Sequence, residues 1–299
     1  MQNYKKRWRL EQNIPQKAAQ KRLLEREAAK NPVKKKSMGQ HFLRRHSVVD
    51  TMIDKVKASC VGRVVLEIGC GDGFLTEKIL AKTDCKQLIC LELDRGWAAF
   101  VEKKIQDPRL IVHNVNALDI DWNMLSPGEP MVLLANLPYN VSVPLVKKLR
   151  AQCESFIEGV FMVQEEVAKK FAAKTGSDLG SISLFLQHRL DFLLLTKVDP
   201  SAFTPPPQVN SRLVYFKPKA AVKVIEQEEL FWKFIKSCFS CPRRMLRNNL
   251  KSYNFDQTII AEKVEGLRAQ QMTFDELLEL WIYLSKATPQ FKDSDVLSI

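Results

Sequence analysis

Short apolar runs alternate with stretches of helical spacing from Val64 onward, and this alternation constrains the fold more than any other feature. Strands are predicted at residues 64–68, 88–92, 110–115, 131–135, 160–163, 192–198 and 212–216, and helices at residues 74–82, 97–105 and 165–174. Strands separated by helices require right-handed crossovers, which place the strands side by side in a parallel sheet with helices on both faces. The sequence therefore predicts an α/β domain with a doubly wound sheet.

The chain changes in character on both sides of this region. After Pro218 only helical spacing remains, with helices predicted at residues 226–240 and 273–284. Residues 1–36 are strongly basic, and Asn31-Pro32 followed by Lys34, Lys35 and Lys36 ends any helix there. We therefore expect a basic arm at residues 1–36, the α/β domain at residues 37–218 and a small all-helical C-terminal domain at residues 219–299.

Positive charge is distributed unevenly along the chain. The formal net charge is +12, and the segment from Met1 to His46 contains fourteen Lys or Arg against three Glu, so nearly all of the excess lies there. A second basic cluster comprises Lys233, Lys236, Arg243, Arg244, Arg247 and Lys251. Basic clusters bind polyanions by releasing condensed counterions. Both segments favour a nucleic-acid partner over the alternative, a merely solvated surface.

Composition disfavours several other classes of protein. Hydrophobic residues make up 45% of the 299 residues, enough for a buried core. No apolar run approaches the roughly 20 residues that span a bilayer, and the N-terminus lacks the apolar stretch of a secretory signal. Cys238 and Cys241 form a single C-x-x-C with no second pair of ligands. We therefore expect a cytoplasmic protein without a metal site.

A glycine-rich turn follows the first predicted strand, at Glu67-Ile68-Gly69-Cys70-Gly71-Asp72-Gly73. Glycines at a strand-to-helix turn let the backbone approach a ligand closely. The spacing is G-x-G-x-G, which fits a pyrophosphate-binding turn less well than G-x-G-x-x-G does. Glu92 ends the next strand, where an acid binds ribose hydroxyls. These features fit either a dinucleotide or S-adenosylmethionine.

The fourth predicted strand runs into Asn136-Leu137-Pro138-Tyr139. The exocyclic amine of adenine is a poor nucleophile, because its lone pair is delocalised into the ring. A site that methylates it must accept hydrogen bonds from the amine and hold the nitrogen in line with the methyl donor. The Asn136 amide oxygen and the Leu137 carbonyl can accept these bonds, and the Tyr139 ring can stack on the extruded base. This tetrapeptide favours an adenine methyltransferase over an ordinary strand-to-turn exit.

Taken in order along the chain, several motifs resemble one known family. They are Gly39-Gln40-His41-Phe42-Leu43, the glycine-rich turn, Glu92-Leu93-Asp94, Asn136 to Tyr139, Ala202 to Ser211 with its three prolines, and Arg243 to Asn248. The chain is similar to the ribosomal RNA adenine N6-dimethyltransferases, and within them to the small-subunit branch. The similarity extends from Gly39 to about Leu284. It implies a Rossmann-like methyltransferase domain for residues 37–218 and an RNA-facing helical domain after it.

The resemblance also implies roles for particular residues. Cofactor binding is expected from Gln40, His41, Leu43, Gly69, Gly71, Glu92, Asn116 and Asn136. The target adenine is expected to meet the catalytic residues Asn136, Leu137, Pro138, Tyr139 and Phe203. RNA binding is expected from Lys34, Lys35, Lys36, Arg243, Arg244 and Arg247. Two positions depart from the family pattern: Asn116 stands where Asp is usual, and Glu165 stands where Lys is common.

The resemblance implies a monomeric enzyme that uses S-adenosylmethionine and no metal. Its expected reaction is dimethylation of the N6 amine of two adjacent adenines in the 3′-terminal hairpin of small-subunit ribosomal RNA, on an assembling ribosomal particle, with S-adenosylhomocysteine as product. A large-subunit rRNA methylase of the macrolide-resistance type shares the motifs. A non-catalytic RNA-binding, assembly or transcription factor could use the same scaffold. A nicotinamide-dependent oxidoreductase would explain neither the tetrapeptide nor the basic ends.

Overall fold

The computed structural model of the protein describes residues 41–251, 255 and 257–287. The strands are β1 (Phe42–Leu43), β2 (Val64–Ile68), β3 (Gln87–Glu92), β4 (Leu110–Asn114), β5 (Met131–Asn136), β6 (Phe156–Gln164), β7 (Leu190–Val198), β8 (Phe203–Thr204) and β9 (Ser211–Pro218). The helices are α1 (His46–Cys60), α2 (Phe74–Lys82), α3 (Arg95–Lys104), α4 (Ser142–Ala151), α5 (Glu165–Ala172), α6 (Ser181–Gln187), α7 (Glu228–Cys238), α8 (Leu246–Leu250), α9 (Gln257–Val264) and α10 (Phe274–Ala287).

Seven of these strands form one sheet in the order β4-β3-β2-β5-β6-β9-β7. The five strands from β4 to β6 are parallel, as the sequence predicts. The last two strands, whose direction the sequence left open, run differently: β9 is antiparallel to both β6 and β7. A parallel connection needs a long crossover, whereas a short turn at Pro200–Ala202 and a proline-rich loop join β7 to β9. The fold is a Rossmann-like, mostly parallel sheet with an antiparallel edge.

Helices cover both faces of this sheet, and the central strands are buried accordingly. All five residues of β2 are buried, and so are the first five of β5. On one face, Val49 and Met52 of α1 belong to the apolar cluster beneath the sheet. On the other face, Leu145 and Leu149 of α4 do the same. Strands buried on both faces read as continuous apolar runs, which is why their positions are predictable from the sequence.

Four helices and two short strands lie outside the predicted elements, namely α1, α4, α6, α9, β1 and β8. Helices α1 and α4 begin without a side-chain hydrogen bond at the N-cap, so they lack the usual sequence signal of a helix start. Helix α6 has seven residues, too few for a clear 3.6-residue period. The antiparallel pair β1–β8 joins positions 42 and 204, a contact that no local pattern encodes.

The helices after β9 build a third apolar cluster, around Phe231, Phe234 and Trp281. Leu179 and Leu184, which precede β9, belong to the same cluster. The predicted arm at residues 1–36 lies outside the described residues. Because the third cluster includes residues from before β9, the division at residue 218 stays a prediction. Among the described residues no helix is long and apolar enough to cross a membrane.

Gly159 in β6 provides a test of the sheet packing. A Cβ atom at this position would lie 2.5 Å from the Leu133 carbonyl oxygen and 2.6 Å from the Phe216 ring. We expect Gly159→Ala to lower the free energy of unfolding by about 2 to 3 kcal/mol, since neither the strand backbone nor the buried ring can yield without strain. Urea denaturation followed by circular dichroism measures this loss. Gly180→Ala is the control, because a Cβ there meets nothing within 4 Å; equal losses in the two variants would contradict the packing argument.

Candidate active site

A cavity lies where the carboxyl ends of β2, β3 and β5 meet at one edge of the sheet. Nine of the predicted cofactor-binding and catalytic residues line it: His41, Leu43, Gly69, Gly71, Glu92, Asn136, Leu137, Pro138 and Tyr139. In open α/β sheets, ligands bind in such a crevice outside the carboxyl ends of the strands. The fold thus brings together residues that are separated by almost one hundred positions in the sequence.

The glycine-rich turn forms one wall of this cavity. Gly69 and Gly71 adopt φ angles of 76° and 53°, in the left-handed region that side chains disfavour. A Cβ at Gly71 would lie 2.9 Å from the Phe42 ring. Gly71 therefore meets two constraints at once, a backbone conformation and a close approach of β1. The turn ends at Gly73, where α2 begins.

Glu92 is anchored at the end of β3 with its carboxylate toward this turn. One carboxylate oxygen accepts a hydrogen bond from the Gly71 backbone N–H at 2.9 Å, and the other accepts one from the Asp94 N–H at 2.9 Å. Burial raises the pKa of the Glu92 carboxyl, while the two backbone bonds oppose that shift. The side chain is only 7% exposed and lines the cavity. An acid held in this way can accept hydrogen bonds from the hydroxyls of a ribose.

A second buried acid, Glu67, lies beneath the glycine-rich turn. It accepts hydrogen bonds from the Thr76 hydroxyl at 2.8 Å and from the Cys90 thiol at 3.3 Å. Burial raises the pKa of the Glu67 carboxyl to about 7. In the sequence Glu67 stood out only as part of the glycine-rich turn. Its position in a strand otherwise filled by apolar residues was the available signal, because a buried acid there needs specific partners.

The side chain of Asn136 has a defined orientation at the end of β5. Its Nδ2 donates to the His41 carbonyl at 3.2 Å. Because a carbonyl can only accept, this bond assigns which end of the amide is nitrogen. Within residues 41–251, 255 and 257–287 the opposite end, Oδ1, accepts no hydrogen bond. The amide oxygen is thus available at the cavity as an acceptor.

Tyr139 directly follows Pro138, whose φ of −59° sets the direction of the chain at this point. Its ring stacks on His41 with centroids 5.5 Å apart and an interplanar angle of 26°. Its hydroxyl lies 2.5 Å from the Ser211 hydroxyl. Burial raises the pKa of the Tyr139 hydroxyl, so the ring stays neutral near pH 7. The ring is therefore held at one face and at its tip.

Two predicted site residues do not line the cavity, and one cannot be located. Phe203 is buried in β8, where it pairs with Leu43. The Asn116 amide oxygen accepts the Leu118 N–H at 3.1 Å, and its Nδ2 donates to Asp119 at 3.0 Å. The amide of Asn116 is thus engaged in its own turn. Gln40 lies outside the described residues.

Nine other residues line the cavity, and none of them is among the predicted cofactor-binding or catalytic residues. They are Phe42, Glu67, Cys70, Asp72, Phe74, Leu75, Leu93, Asn140 and Val141. Leu93 is the clearest of them, because an apolar side chain next to Glu92 is 58% exposed. A large aliphatic residue directly after a strand-end acid was the signal that could have identified it. It offers an apolar surface beside the Glu92 carboxylate.

The predicted RNA-binding residues divide into a described and an undescribed group. Arg243, Arg244 and Arg247 are exposed between α7 and the start of α8. In the described part of the chain none of the three forms an ion pair, so their charges are available to a polyanion. Lys34, Lys35 and Lys36 lie outside the described residues. The described cluster supplies three unneutralised guanidinium groups.

Glu165, the second departure from the family pattern, contacts the chain rather than solvent. Its carboxylate accepts two hydrogen bonds from the Arg212 guanidinium, both at 2.7 Å. These hydrogen bonds hold the pKa of the Glu165 carboxyl below its usual value. Arg212 also donates to the Leu195 carbonyl at 2.9 Å. Glu165 therefore ties the start of α5 to β9.

Comparison with known proteins places the chain among RNA methyltransferases. The family described as "Ribosomal RNA adenine dimethylase" matches residues 31–286. "Ribosomal RNA small subunit methyltransferase A" of Nitrosomonas eutropha is 34% identical over 261 residues, which cover 85% of this chain and 98% of that protein. The protein of the same name from Leptothrix cholodnii is 35% identical over 243 residues, covering 78% of this chain and 88% of that protein.

Solved structures agree in fold. A dimethyladenosine transferase from Plasmodium falciparum superposes with a TM-score of 0.69 at 25% identity, covering 83% of this chain and 98% of that one. The 23S rRNA methyltransferase ErmE superposes with a TM-score of 0.60 at 19% identity, covering 82% of this chain and 99% of that one.

The buried acid Glu67 predicts a pH dependence of stability. Its pKa is about 7 in the folded chain against a usual 4.5, so the folded state binds the proton more tightly. Stability is then fully present below pH 4.5 and falls as the pH rises to 7, by at most about 3 kcal/mol. We expect Glu67→Gln, which cannot ionise, to flatten this decline in urea denaturation between pH 5 and 8. Glu154→Gln, an exposed control, should retain the wild-type slope; a slope unchanged in Glu67→Gln would contradict the assignment.

Proposed function

The chain belongs to the ribosomal RNA adenine dimethylase family, and we propose on that basis that it dimethylates the N6 amine of two adjacent adenines in the 3′-terminal hairpin of small-subunit rRNA. The reaction is methyl transfer from S-adenosylmethionine. The observation that carries the proposal is the Asn136 amide, whose oxygen is presented at the cavity by the Nδ2 bond to the His41 carbonyl.

The cavity residues fit S-adenosylmethionine. Gly69 and Gly71 leave no side chain on the wall of the turn, so the backbone there can approach a ligand. The Glu92 carboxylate suits the two ribose hydroxyls, and Leu93 suits a flat adenine ring. When bound, S-adenosylmethionine supplies an electrophilic methyl group on a sulfonium. Asn116, proposed as a contact of the cofactor adenine, would have to use the second lone pair of an oxygen that already accepts the Leu118 N–H.

The residues at the end of β5 supply what the amine needs. In the first transfer the Asn136 oxygen and the Leu137 carbonyl accept hydrogen bonds from the two N–H groups of the adenine amine, which leaves its lone pair directed at the methyl carbon. In the second transfer the monomethylated amine keeps one N–H for these acceptors. The Tyr139 ring stacks on the flipped base and fixes its plane. The new N–C bond would form as the sulfur–carbon bond breaks, and the amine proton would leave to water. Because no side chain must change its charge, the rate depends on positioning and on electrostatics.

A small-subunit target is supported by the relatives that carry that name and by the basic segment Arg243 to Arg247. We propose that this segment, together with Lys34, Lys35 and Lys36, contacts the phosphates of the particle. We propose that the enzyme works as a monomer in the cytoplasm, where ribosomal particles assemble, and uses no metal. A large-subunit rRNA target, the alternative that shares the motifs, is not favoured by these relatives, which are named for the small subunit.

Removal of the Asn136 amide tests the catalytic assignment. We expect Asn136→Ala to slow methyl transfer to unmethylated small ribosomal subunits by at least about 100-fold, because one of the acceptors of the adenine amine is lost. Mass spectrometry of RNA fragments measures mono- and dimethyladenine, and a filter assay measures RNA affinity, which should stay near that of the wild type. Asn123→Ala is the control, since Asn123 is exposed and is not among the residues that line the cavity. Transfer within a few-fold of the wild type in Asn136→Ala would make this assignment wrong.

Replacement of Arg243, Arg244 and Arg247 by Ala tests the RNA-facing surface. The slope of log affinity against log salt is negative, and each phosphate contact that is lost should reduce its magnitude by about 0.7 to 0.9. We therefore expect a total decrease of about 2 to 3 in the triple variant. The control, with the same change of charge, replaces Lys57, Arg63 and Lys86, which are exposed near the amino ends of β2 and β3. Equal salt slopes in the two triple variants would rule out a specific role for the arginines.

A further inference from the structure

Ser211 is a fully buried hydroxyl outside the predicted set of site residues. It is the first residue of β9, where it pairs with Gln164 of β6 and with Val198 of β7. Its backbone is therefore held between two strands. Its Oγ lies 2.5 Å from the Tyr139 hydroxyl, across 72 positions of the sequence. A buried hydroxyl in this place directs one polar contact at the ring that lines the cavity.

The residues on both sides of Ser211 are held by the same partner, Glu165. The backbone N–H of Glu165 donates to the Asn210 carbonyl at 2.9 Å. The Glu165 carboxylate accepts two hydrogen bonds from Arg212 at 2.7 Å. The Ser211 side chain is thus placed by contacts immediately before and after it, which leaves its hydroxyl little freedom to follow a moving ring.

The Tyr139 ring has few other restraints at its tip. His41 stacks on one face of it, and His41 Nδ1 is itself 2.9 Å from the Pro205 carbonyl in the proline-rich loop. A stacking contact allows the ring to slide or tilt, whereas a hydrogen bond at the para position fixes the direction in which the ring points. The two contacts together define one orientation of the ring at the cavity.

We propose that Ser211 is a positioning residue for methyl transfer, which sets the orientation of Tyr139 through the hydroxyl–hydroxyl bond and is itself held in place by Glu165. The inference rests on the proposed function, in which the ring stacks on the target adenine. A tilt of the ring moves the N6 atom away from the line of the transferring methyl group, and small displacements of this kind lower the rate steeply. Ser211 touches neither base nor cofactor, so its effect passes through Tyr139.

Kinetics of Ser211→Ala, Tyr139→Phe and the double variant test this coupling. Both single variants lose the hydrogen bond, so each should lower kcat by about tenfold, with the KM for the ribosomal particle and the affinity for S-adenosylmethionine near wild type. The double variant should be no slower than either single variant. Ser183→Ala removes another buried serine hydroxyl, one that accepts the Gly180 N–H in the N-cap of α6, and should leave kcat unchanged. Additive losses in the double variant, or an unchanged kcat in Tyr139→Phe, would overturn the proposal.

Fluorine NMR, which needs no catalysis, distinguishes failure of this proposal from failure of the proposed function. The chain has five tyrosines, so 3-fluorotyrosine labelling gives a small set of fluorine resonances, and Tyr139→Phe identifies the one from Tyr139. The phenol oxygen lies on the axis about which the ring flips, so the chemical shift, and not the flip rate, reports the bond to Ser211. We expect the Tyr139 resonance to move in Ser211→Ala relative to the wild type and to stay in place in Ser183→Ala. A Tyr139 resonance unmoved in Ser211→Ala would overturn the role of Ser211. A resonance that moves as expected, in a protein that methylates no ribosomal RNA, would instead contradict the proposed function and leave the contact between Ser211 and Tyr139 as inferred.

Discussion

The burial of the sheet on both faces is the constraint on which the rest of the structure depends. The residues of β2 are all buried, and α1 and α4 pack on opposite faces of the sheet. Parallel strands return through helices, which cover both faces of the sheet, and the carboxyl ends of these strands collect at one edge. At that edge Glu92 ends β3 and Asn136 ends β5. The glycine-rich turn begins there too, at the end of β2. The site is a consequence of how the core is closed.

Within this frame the cavity is stiffened by backbone groups. Glu92 accepts from two backbone N–H groups, and Asn136 donates to the carbonyl of His41. These backbone groups adjoin the ends of β1, β2 and β3, and contacts to them orient the two side chains. A methyl transfer that needs no acid or base at a shifted pKa gains chiefly from this kind of preorganisation. The raised pKa of Glu67 belongs to packing beneath the turn, where burial disfavours its charged form.

The antiparallel part of the sheet supplies a second set of contacts to the site. Strand β9 lies between β6 and β7, and its first residues carry Ser211 and Arg212 toward Tyr139 and Glu165. The chain thereby connects the end of β5 to a segment more than sixty residues later. Glu165, which departs from the family pattern, is accounted for by this arrangement, because its partner Arg212 lies on the adjacent strand. The charge of Glu165 serves a contact within the protein.

The sequence by itself determined the elements whose physics is local. Runs such as Val64 to Ile68 and the helix from Phe74 to Lys82 could be predicted because burial and helical period leave a mark on neighbouring residues. The glycine-rich turn, Glu92 and Asn136 to Tyr139 were predictable as motifs for the same reason. Only the tertiary structure decided that β9 runs antiparallel, that Phe203 lies in β8 away from the cavity wall, and that the Asn116 amide is engaged with Leu118 and Asp119. It also decided the contact between Tyr139 and Ser211. These features depend on residues distant in the chain, whose approach is set by how the helices and strands close around the core.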